Sequence, residues 1–157
     1  MNGKAEVRRL ESQLDATFLR IRAIESGVDI EVQSDFARYL CVLVSGYLEK
    51  AVAELVLDHA RRSGGPTLQR FVEYKTRRFT NANSRRLLDL LGSFHPDWRR
   101  ELEAFMVDDI KDAVDSVVSL RHRIAHGGTV GVTYQRIGGY YERVKKVVGR
   151  VGTLCGA

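Results

Sequence analysis

The hexapeptide Arg121-His122-Arg123-Ile124-Ala125-His126, followed at once by Gly127-Gly128, holds the residues whose types and spacing can do chemistry. Arginine keeps its charge at any physiological pH and presents a planar fork of donors that fits phosphate oxygens. Histidine titrates near neutrality and can both accept and release a proton there. Together the two suit the breaking of a phosphodiester, where one group moves a proton and another holds developing charge.

Their positions on a helix complicate that reading. With Val117 at the centre, Ile110, Ala113, Val114, Leu120 and Ile124 fall within about 60° and form an apolar stripe. Arg121 falls at about 40°, inside the stripe, and needs a carboxylate, carbonyls, an interface or a bound anion. Glu49 is a candidate partner that would orient it. A structural Arg–Glu pair, or an arginine snorkelling to the helix end, fits the spacing as well.

On an ideal helix His126 projects about 140° away from Arg121, so one straight helix cannot bring both to one substrate. Either the terminal turn unwinds, or two copies of the helix pack together in a symmetric dimer. His122 shares the face of His126 one turn earlier and is an accessory candidate. Two histidines four apart also suit zinc, but a zinc site needs further ligands, and no metal or other cofactor is expected. A histidine at a helix C-terminus also serves simply as a cap beside the dipole.

The elements that must position these residues read as helices throughout. A first helix is expected from about Ala5 to Ser26, broken at Gly27 and Asp29. Ser34 is the expected N-cap of the second and longest helix, which ends near Arg62, ahead of Ser63-Gly64-Gly65-Pro66. This helix has two apolar faces: Phe36, Leu40, Leu43, Tyr47 and Ala51 on one side, Cys41, Ser45, Val52 and Val56 on the other, with Glu49 among the latter. Such a helix belongs in the middle of a bundle. Shorter helices follow, from about Thr67 to Phe79, Ser84 to Leu91 and Pro96 to Met106, with Asn81 and Asn83 supplying turn or cap chemistry. The motif-bearing helix runs from about Asp109 to Ala125, with Gly127 placed for a left-handed cap. A last helix, from about Thr133 to Leu154, has a candidate bend at Gly138-Gly139. The expected fold is all-α: residues 1–157 as a single-domain antiparallel bundle of about six to seven helices around a long central one.

Composition fits that architecture. A chain of 157 residues with 44% hydrophobic and 29% charged residues is ordinary for a globular protein. No apolar run approaches the roughly 20 residues of a membrane span, and Met1-Asn2-Gly3-Lys4 opens into charged helix rather than a signal peptide. With Cys41 and Cys155 the only cysteines, no disulfide framework is expected, and the simplest setting is the cytoplasm. The formal charge of +5 permits an anionic partner. It is spread over pairs such as Arg61-Arg62, Arg77-Arg78, Arg85-Arg86, Arg99-Arg100 and Lys145-Lys146, which read mainly as solvated helix faces. Tyr140, Tyr141, Lys145 and Lys146 either line a nucleic-acid cleft or belong to core and surface.

The segment Ser119-Leu120-Arg121-His122-Arg123-Ile124-Ala125-His126-Gly127, at the end of the penultimate helix of a small all-α chain, resembles the HEPN superfamily. It has the form found in the RNA-ligase-associated (RiboL-PSP-HEPN) branch and one related branch. Leu43-Val44-Ser45-Gly46-Tyr47-Leu48-Glu49-Lys50 and Thr80-Asn81 are similar too, and the resemblance spans about Phe36 to Val148. It implies a metal-independent endoribonuclease acting on RNA as a homodimer, with a composite cleft, often as a toxin or in antiviral defence. A neutralising antitoxin or regulatory protein would then be a further partner. By that likeness Arg121 and His126 are the catalytic pair and His122 stands at the polar position after the arginine, where many relatives have asparagine or aspartate. Gly128 replaces the tyrosine that some relatives have modified. The alternative implied is a non-catalytic HEPN-like module that binds RNA, a nucleotide or a partner protein.

Overall fold

Apolar residues recur at helical spacing along the chain, and the computed structural model turns that pattern into seven α-helices among the residues it describes, 2–128 and 130–156. Met1 of the opening segment, Thr129 and Ala157 lie outside the described residues. Helix α1 (Gly3–Glu25) starts at Asn2, whose side-chain oxygen accepts the Ala5 N–H at 2.7 Å, and buries Val7, Leu14, Phe18 and Ile21.

Helix α2 (Ile30–Ser63) begins five residues earlier than expected, with Asp29 and not Ser34 at its N-cap. The Gln33 N–H closes the first turn on the Asp29 carbonyl at 2.9 Å, while the Gln33 side chain donates to the Glu25 and Val28 carbonyls. These bonds satisfy the orphan groups where α1 hands over to α2. Ser34 sits inside the helix and accepts from Arg38. As its two apolar faces require, α2 packs against α1, α3, α6 and α7 and buries residues from Ala37 to Ala60 around its circumference.

Three shorter helices cover one end: α3 (Pro66–Arg77), α4 (Ser84–Phe94) and α5 (Pro96–Phe105). Asn83 caps α4 by accepting the Arg86 N–H at 2.9 Å. His95 ends α4 and starts α5, with its Nδ1 accepting the Asp97 N–H. Leu87, Leu91 and Leu102 carry this pair into the core, each burial contributing roughly 2 kcal/mol.

Helices α6 (Asp108–Ala125) and α7 (Tyr134–Leu154) complete the bundle. Helix α7 runs unbroken through Gly138-Gly139, where a bend was expected; Ile137 and Tyr141, buried on either side, hold it in place. Tyr141 stacks on Phe18 at 4.9 Å and donates to Asp15, and Tyr47 donates to Glu11, so α1, α2 and α7 meet at an aromatic junction. Among the described residues no helix is long and apolar enough to cross a membrane.

Candidate functional site

Helix α6 is fixed at both ends and in the middle. Asp108 and Asp109 in its first turn and His122 and Arg123 in its last complement the helix dipole. One turn before Arg121, the Cys41 thiol of α2 donates to the Val117 carbonyl at 3.7 Å. The buried Val114, Val117 and Val118 hold the helix against α2 and α7.

The helix stops where the glycines predict. His126 is the C-cap, near-helical at φ −93°, and its N–H bonds the His122 carbonyl at 3.1 Å. Gly127 takes a left-handed φ of +75°, its N–H bonding Ile124 O, while Gly128 N–H bonds Arg123 O at 2.9 Å. These paired bonds form a Schellman motif, and its left-handed position favours glycine over any residue with a Cβ. Val130 and Val132, both buried, then anchor the connection to α7. Arg38 of α2 donates to the Val130 carbonyl.

Because His126 keeps near-helical geometry, its ring lies on His122. The imidazole centroids are 4.3 Å apart at 59°, on an exposed surface. Arg121 is half-buried, and among the described residues it makes no hydrogen bond or ion pair. The structure therefore brings the two histidines together and leaves Arg121 on the flank of α6 expected from its helical angle.

Glu49 does not meet Arg121. Its carboxylate accepts the backbone N–H of Asn81 at 2.8 Å. Asn81 is held at a left-handed φ of 54°, so Glu49 pins the turn between α3 and α4. An ion pair was expected from Glu49's place on α2, but the turn reaches that carboxylate first.

The polar face of α6 holds residues the motif does not point to. Asp115 accepts from both the N–H and the hydroxyl of Ser84, at 2.8 and 2.9 Å, and so closes the N-terminus of α4. Beside it a cleft of about 560 Å³ runs between Asn81–Arg86 and the α6 residues Asp115, Ser119 and His122. A second, of about 430 Å³, lies across α6 against the start of α7, where Arg123, Arg136 and Tyr140 line it. Asp115, Ser119, His122 and His126 follow one another at helical spacing opposite Val117, so the same angular argument that placed Arg121 would have found this face. Tyr141 and Lys145 do not line these clefts: the tyrosine is buried, and the lysine sits over its ring at 4.5 Å.

Among the described residues no group of three or more His, Cys, Asp or Glu side chains is placed to hold a metal ion.

The family model described as RiboL-PSP-HEPN matches residues 6–155, nearly the whole chain, with the Arg121–His126 element inside the match. The chain belongs to the RiboL-PSP-HEPN family. No curated protein and no solved structure matches it. In this HEPN domain two elements converge on the end of α6: a glycine-capped terminus bearing two imidazoles, and the turn before α4 pinned by Glu49.

Proposed function

We propose that this HEPN domain is a metal-independent endoribonuclease whose active site is completed by a second copy of the chain. The observation that carries the reading is the exposed imidazole pair, His122 and His126, with ring centroids 4.3 Å apart at the end of the helix that also bears Arg121. RNA carries its own nucleophile, so the protein has only to move protons and hold charge. One imidazole takes the proton of the 2′-hydroxyl, and O2′ attacks the adjacent phosphorus. As the P–O2′ bond forms, the P–O5′ bond breaks, and a second imidazole gives its proton to the departing O5′. The products are a 2′,3′-cyclic phosphate and a 5′-hydroxyl, and no electrons are exchanged with any cofactor.

Arg121 serves in holding the non-bridging oxygens as charge accumulates in the pentacoordinate transition state. It lies on a different flank of α6 from His126, so a symmetric pairing of chains is the route by which Arg121 and the partner subunit's His126 reach one phosphate. Glu49 acts at one remove, by fixing the turn that borders the site. Such an activity suits a cytoplasmic toxin or antiviral effector restrained by a protein partner.

The test is cleavage of single-stranded RNA in EDTA. Wild type should cut, and Arg121→Ala and His126→Ala should each fall by about a hundredfold or more, the size of losing an acid–base or charge-stabilising group. If both variants cut as fast as wild type, the proposal fails. RNA that is bound but never cut would favour the non-catalytic module instead.

A further inference from the structure

Eight of the 19 arginines pair with a carboxylate among the described residues, among them Arg9 with Glu6, Arg62 with Asp58, Arg99 with Asp89 and Arg143 with Asp109. The arginines bordering the polar face of α6 do not. Arg85 and Arg86 on one side, and Arg123 and Arg136 on the other, are exposed and make no ion pair among the described residues. Arg85 and Arg86 also occupy the first turn of α4, a position helix electrostatics disfavours for cations. Asp115 takes both donors of Ser84 and Asn83 takes the Arg86 N–H, so the Arg85 and Arg86 side chains are the charged groups an anion meets there.

The two clefts share Asp115 and Ser119 and so lie back to back across α6. His122 lines the first and lies against His126 at the helix end. In the second, the half-buried Tyr140 presents an aromatic surface beside Arg123 and Arg136. Cations spaced along a groove with an aromatic platform suit a single nucleic-acid strand, whose phosphates pair with arginine and whose bases stack. Exposed Asp112 lies in the second cleft, N-terminal to Ser119. Its charge, with that of Asp115 in both clefts, disfavours phosphate on the N-terminal part of this face and favours the C-terminal end, beside the histidines.

We infer that a single RNA strand crosses the C-terminal half of α6. Arg85 and Arg86 hold the phosphates on one side of the scissile bond, Arg123 and Arg136 those on the other, and a base stacks on Tyr140. The inference rests on RNA being the substrate of the α6 site. It assigns to surface arginine pairs a role that their sequence pattern alone reads as solvation.

The test is the affinity of the full chain for a 2′-O-methyl RNA 12-mer, which cannot be cut, measured by fluorescence anisotropy across a range of salt. Arg85→Gln/Arg86→Gln and Arg123→Gln/Arg136→Gln should each weaken binding about tenfold. Each pair should also make the slope of log K against log salt shallower by about 1.4, at about 0.7 per lost phosphate contact to a single strand. Tyr140→Phe should bind as wild type and Tyr140→Leu about tenfold more weakly. Arg61→Gln/Arg70→Gln, an equal loss of charge elsewhere, should change neither quantity.

Unchanged affinity and slope in both α6-flanking pairs would overturn the strand path, even if wild type cuts RNA. Polyglutamate binding, measured in the same way, gives a second arm: if the glutamine pairs lose it while RNA affinity stays intact, the strand path is overturned and the α6 clefts are a dock for an acidic protein. Binding lost as predicted in a chain that never cuts RNA would sustain the path while refuting the chemistry proposed above.

Discussion

Removing the carboxylate of Glu49 separates two roles for it, because the structure puts it on a backbone N–H and the sequence pattern suggests an arginine. Its bond to the Asn81 N–H is 2.8 Å long and partly buried, and a hydrogen bond to a charged acceptor contributes about 1.5–3 kcal/mol. The bond also holds Asn81 at φ 54°, a left-handed conformation that costs a non-glycine residue about 1 kcal/mol. That strain is relieved if the turn relaxes, which offsets part of the loss. Glu49→Ala should therefore lower stability by about 1–2 kcal/mol, or roughly 2–8 °C in Tm for a chain of this size. Glu49→Gln keeps an acceptor oxygen and should lose less than about 1 kcal/mol. Urea denaturation followed by far-ultraviolet circular dichroism measures both, and combining each with Arg121→Ala measures coupling. A turn-holding role predicts that the effects of residues 49 and 121 add to within about 0.5 kcal/mol. Equal losses in the Gln and Ala variants, or coupling above about 1 kcal/mol, would refute the argument and restore the Glu49–Arg121 pair.

Gly127→Ala places a Cβ at a φ of +75° and should cost about 1–2 kcal/mol. It should also reduce RNA cleavage by disturbing the His126 cap, while Gly127→Asn is milder in both assays. Burial pushes the thiols up, Cys41 to about 11 and Cys155 to about 12. Neither should react with a disulfide reagent at pH 8 until the chain is unfolded. Folded thiols keep their protons where unfolded ones lose them, so the contribution is whole below about pH 8.5, the ordinary cysteine value. It declines as pH rises from there toward 11, and a urea midpoint that held constant from pH 8 to pH 10.5 would contradict the sign.

The helices were legible because each buries a stripe at a spacing the sequence displays. The double-faced pattern around Leu40, Cys41, Val44 and Val52 placed α2 at the centre of the bundle. The divergence of Arg121 and His126 was legible too, since it needs only the angle per residue and the glycines that end α6. Contacts between elements far apart in sequence were harder to read. Glu49 meets Asn81 across 32 residues and Asp115 meets Ser84 across 31, and periodicity does not say which turn reaches which carboxylate. Ser34 is a good cap by type, but Asp29 won because Gln33 supplies the bonds that close the turn from α1. The arginine pair at 85–86 reads as a solvated face until its neighbours across the cleft are known.

The most direct test of the central claim mixes two inactive forms of the chain. Arg121→Ala and His126→Ala protomers, unfolded and refolded together, would distribute at random among dimers. If Arg121 works with the partner subunit's His126, each mixed dimer holds one intact set, and the mixture should recover about a quarter of wild-type cleavage. The product should be a 2′,3′-cyclic phosphate, formed in EDTA. A mixture no more active than either variant alone, from a wild type that does cut, would contradict a site shared between two chains.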